Sequence, residues 1–238
     1  LEHYGLLQAA GAEARAFLHA QLTHDIENLP PGRARYAGWC TAKGRLLATF
    51  LVIPHAEGFL LQLALDLVPA VQKRLSMFIL RSKVKLTDVS GQWHQYGVWG
   101  KPAQAEDLAV SEEPGRVSVR IDAERTLVLA SAPMSATAPA SDWTLAEVRA
   151  GRALITQATQ DQFVPQMVNL ELSGGVDFHK GCYPGQEIVA RAQYRGEVKR
   201  RMVLLPAPAG AQLQPGQEFN GGVVVDSAGG EVLAVVPV

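Results

Sequence analysis

At 238 residues the chain is long enough to bury a real core, as one large domain or two to three small ones. Apolar residues make up 47% and charged residues 19%, the balance of a soluble globular protein. The net charge of -1 and a pI near 6.7 show no global basic excess of the kind that advertises nucleic-acid binding, and the absence of any apolar run of about 18 residues argues against a membrane span.

No signal peptide is visible, and the chain begins at Leu1 without a Met. Cys40 and Cys182 are too few for a disulfide framework, so a reduced, cytoplasmic compartment is expected.

In chain order, residues 1–10 read as a first strand carrying Tyr4, Leu6 and Leu7, turned by Gly11. Ala14, Phe17, Leu18, Gln21 and Leu22 follow helical spacing, which predicts an amphipathic helix over 12–22. Residues 36–40, 46–53 and 59–65 read as strands, with turns at Ala42-Lys43-Gly44 and Glu57-Gly58. Asp66 is a candidate N-cap for a helix over 67–80, with Pro69 in its first turn and Val68, Val71, Leu75, Phe78 and Ile79 as its buried stripe. Residues 83–89, 94–99, 117–121 and 126–131 read as further strands.

The Ala-, Pro- and Ser-rich stretch 132–141 reads as a linker, with Ser141 capping a helix over 142–150 that ends at Gly151. Residues 152–177 read mostly as loop. A second linker at 206–210 precedes strands at 217–225 and 231–236. Roughly thirty residues are few for an independent β domain, so the C-terminal domain is expected to be partial.

The densest chemistry lies in Phe178-His179-Lys180-Gly181-Cys182-Tyr183-Pro184-Gly185-Gln186-Glu187, running on to Arg191. Gly181, Pro184 and Gly185 predict a tight exposed turn around Cys182. His179, Lys180 and Arg191 surround the thiol, with Arg195, Lys199, Arg200 and Arg201 downstream, and nearby cations favour a thiolate. Residues 187–191 begin either a helix or a strand. On local chemistry, Cys182 is either a functional thiol or a small buried hydrophobe. Lys180, Arg191, Arg195, Lys199 and Arg200 make a local basic cluster. It suits an anion such as a phosphate, an acidic glutamate tail or an RNA backbone, or else a solvated face paired with Glu187 and Glu197.

The string Lys180-Gly181-Cys182-Tyr183-x-Gly185-Gln186-Glu187 resembles the signature of the YgfZ family of folate-binding proteins. The likeness continues in Phe163-Val164-Pro165-Gln166, Asn169-Leu170-Glu171, Ala190-Arg191, Arg195-Gly196 and Lys199-Arg200, and more weakly in Gly11, Thr23-x-Asp25 and Lys43-Gly44-Arg45. It covers most of residues 1–205. The resemblance implies an α+β fold like that of the glycine-cleavage T-protein: two α+β domains and a C-terminal β-barrel, incomplete in this chain, set in a ring. The expected domains are 1–40 with 141–200, then 41–140, then 201–238.

The resemblance also implies a tetrahydrofolate site. The family's two folate-associated aromatics map onto Tyr4 and Trp143, with Gln166 and Asn169 as pterin or loop partners. The implied role is that of an accessory protein supporting iron–sulfur enzymes, including one that thiomethylates tRNA, through a folate cavity and Cys182. One alternative is a folate-dependent aminomethyltransferase; only Asp66 is available there as its carboxylate, and the signature cysteine is not a T-protein feature. A second is an RNA- or protein-docking module, although no RNP-type aromatic string accompanies the basic cluster.

Two cysteines cannot supply the four thiolates of an ordinary iron–sulfur cluster, so no metal site within the chain is expected; a cluster shared with a partner through Cys182 stays open. No G-x-S-x-G, P-loop or G-x-G-x-x-G motif is present.

Overall fold

The computed structural model describes residues 1–56, 58–100 and 106–238. In chain order the elements are β1 (Tyr4–Ala10), α1 (Ala14–Gln21), β2 (Arg35–Cys40), β3 (Leu46–His55), β4 (Gly58–Ala64), α2 (Val68–Ser76), β5 (Lys85–Asp88), β6 (His94–Trp99), β7 (Val110–Glu113), β8 (Arg116–Arg120), β9 (Arg125–Ala130), α3 (Ala140–Arg149), α4 (Gln186–Tyr194), β10 (Arg200–Pro206), β11 (Glu218–Phe219), β12 (Gly222–Ala228) and β13 (Glu231–Pro237). The residues group into two compact units. One holds Leu1–His19, Asp25–Arg35 and Phe50–Ala140; the other holds Ala20–His24, Tyr36–Thr49 and Ser141–Val238.

In the first unit β1 is an inner strand, between β4 and β5. It pairs antiparallel with β4, Tyr4 opposite Ala64, and on its other side with β5. Residues 51–55 of β3 extend the sheet beyond β4. Leu6, Leu7, Leu60, Leu61 and Leu63 are buried along these strands. Helix α2 lays Val68, Val71 and Leu75 on the same core. It sits so close to β1 that a Cβ on Gly5 would fall 2.3 Å from Val68 Cγ2. A second antiparallel sheet runs in the order β6-β9-β8-β7. Buried amides tie the two sheets: Gln62 Nε2 donates to Gln95 Oε1 at 2.8 Å, and Gln95 Nε2 donates to the Tyr4 carbonyl at 2.9 Å. Such pairing is what buried polar groups require.

In the second unit β2 and the start of β3 form a hairpin closed by Thr41 N–H to Arg45 O at 2.8 Å and Gly44 N–H to Thr41 O at 2.9 Å. Residues 153–163 are not a free loop. Thr49 Oγ1 donates to Ala153 O and accepts from Ile155 N–H, Gln160 Nε2 donates to Leu47 O, and Leu46 N–H donates to Phe163 O. Strands β10, β13, β12 and β11 form the C-terminal sheet in that order, around Val224, Val232 and Ala234.

Several expectations change. The helix expected over 67–80 ends at Ser76. Asp66 lies in a 3-10 turn, Leu65–Leu67, and the N-cap position of α2 falls to Leu67 instead. Ser141 lies within α3 rather than capping it. Residues 217–225 split into β11 and the start of β12. Strands β7 and β10 were not expected: β7 has no buried residue and β10 buries only Met202, so neither shows an apolar alternation. Of the Glu57-Gly58 turn, Glu57 lies outside the described residues, while Gly58 opens β4.

Candidate functional site

The signature stretch belongs wholly to the second unit, and local contacts explain its shape. Gly185 has φ +80°, the left-handed region that glycine enters without steric cost, and stands just before α4. A Cβ there would lie 2.4 Å from Thr41 O and 2.6 Å from Gly44 Cα. The loop therefore packs backbone to backbone against the Thr41–Arg45 turn. Gly44 in turn meets α4, where its own Cβ would lie 2.9 Å from Ile188 Cβ. The matches at 43–45 and 185 are thus two sides of one contact.

Thr23 ties the lead-in down. Its hydroxyl donates to Gly175 O at 2.6 Å and accepts from Gly38 N–H at 2.7 Å, while its carbonyl accepts from Asp177 N–H at 2.9 Å. Lys180 is 8% exposed and turned inward. Its Nζ donates to Leu22 O at 2.8 Å and stands 5.0 Å from the Tyr183 ring centroid, a cation–π arrangement. Tyr183 is buried too. Burial is the main force raising its phenol pKa, with the charges of Cys40 and Asp177 adding to it.

Cys182, between these anchors, is exposed, as is His179. The result is a thiol held out to solvent by a loop whose neighbours on both sides are fixed. Cys40 is the opposite case: it is buried, and desolvation pushes its thiol up to about 12. A thiol so placed stays protonated at neutral pH and is inert.

The basic residues divide. Lys180 and Arg201, read as cations around the thiol, are both engaged inside the unit. One Arg201 amino group donates to Gln166 O at 3.0 Å, Asn169 Oδ1 at 3.1 Å and Glu171 Oε1 at 2.5 Å. Arg191, Arg195, Lys199 and Arg200 remain exposed. The 187–191 segment is helical, and the expected pairing of this cluster with Glu187 and Glu197 is not found among the described residues.

The four residues expected to bind folate do not all share a unit. Tyr4 lies in the first, half-buried on β1, with its ring centroid 4.2 Å from that of His3. Trp143, Gln166 and Asn169 lie in the second. Trp143 is buried on α3 at 3% exposure. Gln166 is fully buried in the 3-10 turn Pro165–Val168, and its Nε2 donates to Val189 O of α4 at 2.8 Å. Asn169, with φ +56°, ends that turn; its Nδ2 donates to Met202 O at 2.8 Å, and its Oδ1 accepts from Arg201. Both ends of the Asn169 amide are therefore engaged within the protein.

Gln166 Oε1 is a buried acceptor with no partner among the described residues. The N–H edge of a pterin offers the donor such an atom lacks, and Trp143 contributes a flat indole that is itself buried. In donor and acceptor chemistry these residues fit a folate. Both are enclosed, so a ligand reaches them only when the covering residues shift.

The roles of Thr23, Glu171 and Arg201 are not legible in the sequence. Their partners are remote in sequence, so only the fold reveals them.

Comparison with known proteins bears on the family and the fold. The model of the GCVT N-terminal domain matches residues 1–112. An uncharacterized protein of Haemophilus influenzae is 31% identical over 228 residues, covering 92% of this chain and 77% of that protein. The tRNA-modifying protein YgfZ of Vibrio vulnificus is 30% identical over 222 residues, covering 86% and 68%. Its counterpart in Serratia proteamaculans is 30% identical over 243 residues, covering 92% and 74%. Among solved structures, the glycine cleavage system aminomethyltransferase T from Bartonella henselae superposes with a TM-score of 0.71 at 16% identity, covering 99% of this chain and 76% of that one. The fold is therefore that of the T-protein, α+β as expected.

Proposed function

The chain belongs to the YgfZ family, and from that premise we propose that it is a folate-binding accessory protein of tRNA modification that acts through Cys182. The iron–sulfur enzymes that carry out such modification are its clients, and the cytoplasm is its compartment. The observation that carries this reading is the presentation of Cys182: exposed, on a loop pinned by Lys180, Tyr183 and Gly185. A structural cysteine is usually buried, as Cys40 is. A loop fixed on both sides of an exposed thiol is the arrangement of a thiol that meets a partner.

In this reading Trp143 stacks on the pterin and Gln166 Oε1 accepts one of its N–H groups. Folate supplies a one-carbon acceptor or an ordering ligand. Gln166 holds α4 through Val189 O, so a ligand engaging the free end of this amide acts on the helix that follows the cysteine loop. No membrane partner is invoked, and among the described residues no helix is long and apolar enough to cross a membrane.

The test pairs two measurements. Cys182→Ala is expected to fold normally and to fail to restore tRNA thiomethylation in cells lacking the endogenous protein; full restoration would sink the role of the thiol. Tetrahydrofolate titrated into the intact protein should release heat on binding, and Trp143→Phe should weaken binding about tenfold, a loss of about 1.4 kcal/mol. An intact protein that binds no tetrahydrofolate would remove folate from the reading.

A further inference from the structure

From the cations around α4 we infer that this face of the second unit is an RNA-docking surface beside the thiol, with Tyr194 as a base-stacking platform. The inference rests on the proposed function only in the choice of tRNA as the polyanion. Ile188 touches the turn that carries Lys43, and Arg191 and Arg195 follow it at helix positions i+3 and i+7. That spacing sets all three on one stripe of α4 and its C-terminal cap. Lys43, Arg191, Arg195 and Lys199 are all exposed.

None of these four has an ion-pair partner among the described residues. This separates them from Lys180, Arg201 and Arg149, each of which has a hydrogen-bond or ion-pair partner within the chain. Glu187 and Glu197 are nearby in sequence and exposed, yet neither forms an ion pair with these cations among the described residues. In a chain of net charge -1, cations without ion-pair partners thus gather on α4, at its C-terminal cap and on the segments that flank it. Such a surface attracts a polyanion through counterion release.

The second, independent feature is Tyr194. It is 65% exposed at the end of α4, and Phe178 braces its ring edge-to-face at 5.9 Å. A large aromatic left in water but held by a neighbour is a platform on which an unpaired base can stack, at about 1–3 kcal/mol per base. Phe178 lies four residues before Cys182, so the platform and the thiol are joined through the loop itself. Cations that track a backbone, with an aromatic that stacks a base, suit single-stranded or loop RNA.

The experiment measures binding of a tRNA transcript, and of a short single-stranded RNA, to the full chain by fluorescence anisotropy across a salt series. The intact protein should bind with affinity falling steeply with salt. The triple variant Arg191→Gln/Arg195→Gln/Lys199→Gln should bind at least tenfold more weakly, with a salt slope smaller by about 2, roughly 0.7 per lost contact. Tyr194→Ala should weaken binding of the single strand by about tenfold. All four residues are exposed, and circular dichroism verifies that the variants fold. A control triple, Lys73→Gln/Lys83→Gln/Lys85→Gln, removes exposed cations of the first unit and should leave affinity within twofold.

No binding at low salt, or loss of binding in the control triple instead, overturns the inference. Cys182→Ala should keep full RNA affinity. If it loses complementation while RNA is not bound at all, the proposed function stands and this surface fails. If it complements fully while RNA binding behaves as described, the reverse holds.

Discussion

The Lys180 ammonium reaches back 158 residues along the chain to the carbonyl of Leu22, and this 2.8 Å bond sets the direction of the loop that carries Cys182. A charge-assisted hydrogen bond to a buried carbonyl is worth about 1.5–3 kcal/mol. Lys180→Met keeps much of the apolar stem but leaves Leu22 O without this donor. The expected result is a loss of about 2 kcal/mol in urea unfolding, together with faster alkylation of Cys182 by a neutral reagent as the loop loosens. Unchanged stability and unchanged reactivity would show that Tyr183 and Gly185 hold the loop unaided.

Gly185→Ala should be more damaging than its size suggests. A left-handed φ costs a non-glycine residue roughly 1–2 kcal/mol, and the new methyl would overlap Thr41 O. A combined loss of about 3 kcal/mol is expected, read as a lowered urea midpoint. If Gly185→Ala unfolds like the parent, the backbone contact with the hairpin is not the one described.

Arg201 is the common partner of Gln166 O, Asn169 Oδ1 and Glu171 Oε1. The Glu171 side chain is only 6% exposed. Arg201→Met would leave that carboxylate unpaired, which costs about 3–5 kcal/mol when a buried pair is broken. Arg201→Met/Glu171→Met should recover much of that loss, because the stranded charge is then gone. A double variant as unstable as the single one would refute this account.

Asp226 gives a pH signature. It lies in β12, where the register with β13 shifts between Val224 and Asp226, and burial pushes its carboxyl up to about 6 from 3.8, with the charge of Glu147 adding to the rise. The folded state therefore holds this proton more tightly than the unfolded chain does. Its stabilising effect is complete below 3.8 and is lost as pH rises towards 6. Asp226→Asn keeps an acceptor for the Ser227 N–H and removes the charge. It should stabilise the protein by about 2 kcal/mol near neutral pH and give no gain near about pH 3.5, as measured by urea unfolding at both.

How far the sequence spoke for itself varies element by element. Helices α1 and α2 were legible because their buried residues, Ala14, Phe17 and Leu18 in one and Val68, Val71 and Leu75 in the other, recur at helical spacing. Strand β10 was not, because Arg200, Arg201 and Pro206 suggest a basic tail running into a linker. It is a strand because β13 pairs along its whole length.

At the site, the turn around Cys182 could be read from its glycines and proline. The inward course of Lys180 and Arg201 could not. A cation in a sequence looks like surface, and the carbonyls that draw these two inside come from segments far away in the chain. The clustering of the remaining cations was visible locally; their lack of partners was not.

The contrast between the two sulfurs has a practical side. A maleimide probe applied to the native protein near neutral pH will modify one position alone, since Cys40 is shielded and fully protonated while Cys182 stands in solvent. The unmutated protein thus carries a ready-made attachment point for a fluorophore or spin label within its signature loop. Arrival of any partner there can be watched directly, without first engineering a cysteine-free background.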